Sequence, residues 1–141
     1  MKLWDKGGEL NQAIESFTVG DDYLLDRRLV KYDCAASIAH ARMLRRTGLL
    51  TKRELACLVR GLEEIIRLDA KGGFVIKKGE EDCHTAIENR LVSKYGAAGK
   101  KLHTARSRND QVLTALRLYE KESLGDIKQK LARFKDALRS L

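Results

Sequence analysis

The sequence predicts an all-α fold on three observations. Its 141 residues contain no proline, where an average soluble chain of that length carries roughly seven, and proline is the residue that breaks helix interiors. Apolar residues recur at steps of three and four through most of the chain. Helix start and stop signals bound those stretches. The same features argue against a turn-rich β-sandwich, and 43% hydrophobic with 34% charged residues suits one helical core with a polar exterior.

Residues 1–20 mix glycines with polar residues and read as an irregular arm. Asp21 or Asp22 can cap the first helix. From Tyr23 to Leu44 the apolar positions keep helical spacing, and they predict two consecutive helices meeting near Lys31 to Cys34. Arg45-Arg46-Thr47-Gly48 is a stop signal: cations in a last turn, then glycine just past it. Thr51-Lys52-Arg53-Glu54 is a capping box, opening a helix whose stripe is Leu55, Leu58, Leu62, Ile65 and Leu68. Gly72-Gly73 ends it, and Phe74-Val75-Ile76 reads as a short strand-like arm. Glu80-Glu81-Asp82 places acids at the positive end of the next helix, with Ile87, Leu91, Val92 and Tyr95 on its inner face. Gly96 and Gly99 then open a basic loop from Lys100 to Arg108.

The last helix begins near Ser107 or Asn109. Its Leu124, Ile127, Leu131, Phe134, Leu138 and Leu141 form an a/d seam, the pattern of a helix packed in a bundle. A helix that stops on its own seam predicts that the chain is the front of a longer protein.

The balance of 28 basic and 20 acidic side chains gives +8. The cations are dispersed among acids and no aromatic residues interleave with them, so no nucleic-acid partner is expected. No apolar run is long enough for a bilayer, and Met1 to Gly8 has no signal-peptide core, so no membrane partner is expected either. Cys34, Cys57 and Cys83 have no metal-binding spacing and read as reduced structural thiols; no metal site is expected.

Two segments carry chemistry. In Glu81-Asp82-Cys83-His84, a carboxylate two residues before a histidine at a helix start can face a cleft and grip a polar ligand; the plain alternative is a dipole-favoured acidic start with a surface histidine. The loop from Lys100 to Gln111 gathers Lys100, Lys101, His103, Arg106 and Arg108 with Ser107, Asn109 and Gln111. That set, ahead of a helix N-terminus, suits a small ligand with several carboxylates, or else is a solvated basic loop. Ser37 and His40 share a helix, but no carboxylate is seen to orient them, and packing is the expected role.

The string Lys100-Lys101-Leu102-His103-Thr104-Ala105-Arg106-Ser107-Arg108-Asn109-Asp110-Gln111-Val112 resembles a signature of argininosuccinate lyase, within the fumarase/aspartase superfamily. The Leu3-Trp4 start, the passage from Ser37 to Thr51 and Glu81-Asp82-Cys83-His84 agree with that family in order and spacing. Another superfamily member such as an adenylosuccinate lyase is the second enzyme reading, which the Arg-Ser-Arg-Asn-Asp-Gln run argues against. A non-catalytic helical self-association module is the alternative from a different class.

The resemblance implies an all-α cytoplasmic homotetramer, without metal or organic cofactor, that splits argininosuccinate into arginine and fumarate at the last step of arginine biosynthesis. It implies a helical N-terminal domain over residues 1–106 and the first part of a central bundle helix from 107 to 141. Asn109 and Arg108 would contact substrate, His84 and Asp82 would line the site, and Ser107 and Thr104 would shape the loop. The family's catalytic serine and histidine strings do not occur here, so no catalytic residue is expected within these 141 residues, and the chain alone is expected to be inactive. Two positions depart from the family pattern. Ala105 stands where the family commonly has glycine, so a positive φ there would strain it. Gly20 stands at the place of a substrate-binding serine, so a contact there would come through its backbone.

Overall fold

A computed structural model describes residues 20–77 and 80–140. The expected arm lies outside them except for Gly20. The helices are α1 (Asp22–Leu25), α2 (Val30–Arg46), α3 (Lys52–Ala70), α4 (Cys83–Tyr95), α5 (Ala97–Lys101) and α6 (Arg108–Arg139), with a 3-10 turn at Asp26–Arg28 between α1 and α2. No strand occurs among the described residues.

The break between the first two helices falls at Asp26 to Leu29, earlier than the spacing predicts. Leu29 N–H donates to the Asp26 carbonyl, closing the tight turn, and the apolar spacing runs through that turn without marking it. α2 stops as expected: Gly48 has φ +82° and the Leu49 and Leu50 amides return to the Leu44 carbonyl. The Thr51–Glu54 capping box forms in full. Asp82 caps α4, its Oδ1 accepting from the Thr85 amide at 2.8 Å.

Two expectations need correction. Phe74 to Ile76 is not a strand, since no strand among the described residues pairs with it. It keeps an alternating pattern, with Phe74 and Ile76 buried and Val75 67% exposed, so side-chain burial alone holds it. The basic loop is also shorter than expected, because Ala97–Lys101 is the short helix α5. Gly99 makes that helix possible: a Cβ there would lie 2.6 Å from the Val92 backbone nitrogen, so only glycine permits this approach to α4.

The core lies between α2, α3 and α4. Val30, Cys34 and Leu44 meet Leu58, Leu62 and Ile65, with Cys83, Ile87 and Leu91 closing it. The first half of α6 packs on α2, where Tyr32 and Tyr119 meet edge to face at 5.7 Å and Lys31 pairs with Glu122 at 2.5 Å. Thirty-two residues make α6 about 48 Å long. Its second half therefore extends beyond the small core, and Leu124, Ile127, Leu131, Phe134 and Leu138 are each more than half exposed.

Candidate functional site

α6 begins where the loop reaches the core. Ser107 caps it: its hydroxyl accepts from the Asp110 amide while the Asp110 carboxylate accepts from the Ser107 amide. This fixes Arg108 and Asn109 in the first turn, where backbone N–H groups have no intrahelical acceptor and favour an anion. Asn109 is exposed and Arg108 partly so.

Arg108 Nη1 donates to Asp82 Oδ1 at 2.6 Å and Oδ2 at 2.5 Å, and both Nη atoms reach Thr85 Oγ1 at 3.2 Å. Thus the α6 start and the α4 start are locked together. Asp82 and Arg108 sit side by side, and Thr85 joins them, a residue that no motif spacing had singled out.

His84, one turn into α4, is 2% exposed. The surface-histidine reading is therefore excluded. Its Nδ1 lies 3.2 Å from Asp33 Oδ1, and Asp33 is fully buried on α2. The contact is at ion-pair distance but off the N–H direction, so it counts as electrostatic and not as a formed hydrogen bond. Asp33 also accepts from Gln111 Nε2 at 3.3 and 3.4 Å and from Arg106 Nη2 at 3.5 Å, while Arg106 Nη1 donates to Ser37 Oγ at 2.9 Å. Burial pushes the Arg106 pKa down, opposed by the charge of Asp33 and Asp110.

The loop's cations do not act as one cluster. Lys101 turns away to Glu54 at 2.6 Å, Arg106 faces inward to Asp33, and Arg108 meets Asp82. The anion-favouring feature that remains is the first turn of α6. Thr104 is exposed, and its carbonyl lies 3.0 Å from His40 Nε2. His40 therefore braces the loop, in keeping with a packing role, and Ser37 does the same through Arg106. Ala105 has φ +56°, the left-handed conformation that glycine adopts freely. Gly20 lies in an exposed turn with φ +48° before α1, and it is not part of the Asp82–Arg108 or Asp33 networks.

A cleft of about 10 Å³ opens beside His84, lined by Ser37, Glu88, His103, Arg106 and Gln111 among others. A broader open depression of about 790 Å³ lies elsewhere, between the end of α3, the 74–77 arm and α4, where Glu64 bridges Arg90 and Lys94. It contains none of the candidate substrate-contacting residues Gly20, Asp82, His84, Thr104, Ser107, Arg108 and Asn109.

Asp26, Cys83 and His84 bring one candidate metal-ligand atom each within 4.8 Å of one another. The Asp26 carboxylate already accepts from the Cys83 amide at 3.1 Å. Burial pushes the Cys83 thiol far up, with Asp26 adding to the shift, so it stays protonated. Three such groups are short of the closed four-ligand set of a structural zinc site.

The chain, whose described elements are all helical and pair two helix starts beside a buried histidine, matches a family described simply as lyase over residues 9–141. The chain belongs to that lyase family. The particular relatives it is similar to are argininosuccinate lyases. That of Thermotoga neapolitana is 55% identical over 97% of this chain and 34% of the relative. Those of Sorangium cellulosum and Bacteroides fragilis are each 46% identical, over 94% and 89% of this chain and 31% and 28% of the relatives. The chain spans about a third of the length of these curated relatives.

Proposed function

We propose that the protein carrying this chain is an argininosuccinate lyase that eliminates arginine from argininosuccinate and leaves fumarate. The observation that carries the proposal is 55% identity to a named argininosuccinate lyase across 97% of the chain. In the reaction, a general base takes a proton from the carbon beside a carboxylate. The electron pair is held as an aci-carboxylate, the C–N bond then breaks, and the guanidino nitrogen leaves with a proton from a general acid.

The catalytic acid and base are expected from segments outside these 141 residues. Within them, Asn109 and Arg108 would hold a substrate carboxylate at the first turn of α6, where free amides favour the developing charge. Asp82 would orient Arg108, and His84 would line the same face. Ser107 and Thr104 would shape the loop, and Gly20 would add a backbone N–H. Residues 1–106 would form an N-terminal domain and 107–141 the start of a bundle helix, within a cytoplasmic homotetramer.

The test is fumarate release from argininosuccinate, followed by the absorbance of the conjugated diacid, with the protein at full coding length. Activity is expected there and none from residues 1–141 alone. Arg108→Lys, which loses the planar guanidinium, is expected to cut kcat/KM by about tenfold or more. Full-length protein without fumarate release would defeat the proposal.

A further inference from the structure

Asp33 lies outside the segments that resemble the family signature, yet three other parts of the fold converge on it. It is 0% exposed on α2, and His84 from α4, Arg106 from the loop and Gln111 from α6 all approach its carboxylate. A buried carboxylate needs a matching charge, and Arg106 supplies it. An imidazole in its neutral form carries a single N–H, on one nitrogen or the other.

His84 Nδ1 faces an oxygen that can only accept, at 3.2 Å. The contact is not a formed hydrogen bond, but the negative charge 3.2 Å away favours the partial positive charge of an N–H at Nδ1 over a bare lone pair there. Both His84 ring nitrogens are buried without a hydrogen-bond partner among the described residues, and what distinguishes Nδ1 is the Asp33 carboxylate oxygen 3.2 Å away. The Asp26 carboxylate, whose Oδ2 accepts from the Cys83 amide, comes only within 4.8 Å of the imidazole, against 3.2 Å for Asp33. The adjoining cleft of about 10 Å³ has room for one water.

We propose that Asp33 is a positioning residue for the candidate site: it holds His84, which lines the cleft, in the Nδ1–H tautomer and leaves Nε2 a bare acceptor. The link to catalysis rests on the lyase reading; the tautomer does not.

The test is nitrogen-15 NMR of the imidazole in the protein at full coding length. The wild-type spectrum is expected to show His84 protonated at Nδ1 and bare at Nε2. A proton on Nε2 would overturn the proposal whatever the activity. Asp33→Ala removes the acceptor, so His84 is expected to move to the Nε2–H tautomer, with kcat down about tenfold or more and KM within about threefold. Asp33→Leu, which keeps side-chain bulk but has no acceptor, provides the same kinetic comparison if the alanine variant does not fold. Unchanged kcat in a folded variant would reject the positioning role. Absence of fumarate from wild-type protein would reject the lyase reading and leave the tautomer assignment to the spectrum.

Discussion

A single methyl group marks the tightest point of the loop. Ala105 holds φ +56° between Thr104, whose carbonyl meets His40, and Arg106, which is anchored at Ser37. The left-handed conformation costs an alanine about 1–2 kcal/mol, and glycine loses about 0.4–1 kcal/mol more chain entropy on folding. Ala105→Gly is therefore expected to stabilise the chain by about 0.5–1 kcal/mol, read as a higher urea midpoint at unchanged m-value; an equal or lower midpoint would contradict the strain. The thiols behave oppositely to a reactive cysteine. Burial raises the pKa of both Cys34 and Cys83, so the folded chain keeps protons that the unfolded chain releases above about pH 8.5. Stability is expected to fall as pH rises past that point. Under native conditions a thiol reagent is expected to modify half-buried Cys57 first, and rapid labelling of Cys83 would show that α4 opens readily. The Ala105 strain was legible in the sequence once glycine was expected there. The role of Asp33 was not, because its partner Gln111 lies 78 residues away and no local pattern pairs them.

At the scale of the element, the helix starts that were readable are those with a chemical signal, whereas α2, predicted from apolar spacing alone, starts from Leu29 with no side-chain cap and earlier than that spacing suggests. Thr51–Glu54, Asp82 and Ser107 each place a side-chain oxygen on a first-turn amide, and such caps act within three residues, where sequence is readable. α5 escaped notice because its reason is tertiary: five residues with two alanines and a glycine become a helix only by pressing Gly99 against α4. The start of α3 is also an electrostatic junction. Lys101, together with the Thr51 amide and hydroxyl, holds the Glu54 carboxyl down to about 2. A depressed carboxyl pKa gives stability that is present above the unfolded value near 4.5 and lost as pH falls toward 2. Acid titration of the wild type is expected to show destabilisation across that window, and Glu54→Gln to flatten it. Identical acid limbs for the two proteins would remove Glu54 from the account. Thr51→Ala is expected to cost about 1 kcal/mol at neutral pH through loss of the cap itself.

For the whole molecule, the decisive feature is the contrast between the two halves of α6. The first half is anchored by Gln111, Ala115 and Tyr119 against α2. Beyond it, Leu124, Ile127, Leu131, Phe134 and Leu138 step by three and four and are 65, 59, 65, 61 and 56% exposed, with nothing among the described residues to cover them. The seam was readable because helical periodicity is local; what covers it was not, because a partner surface leaves no trace in one chain's spacing. Burying each such side chain is worth about 1.5–3 kcal/mol, so five in register can exceed the association cost of about 4–15 kcal/mol. This is the physical support for the proposed homotetramer, in which α6 would continue into a shared bundle. Leu131 stands at the centre of the seam, and Leu131→Asp would place an unpaired carboxylate there, which is costly once buried. At full coding length, native mass spectrometry is expected to show a tetramer for the wild type and smaller species for the variant, with helical content of the small core retained. A variant that stays tetrameric at micromolar concentration would mean that α6 is covered by some other face, and the seam would then lose its place in assembly.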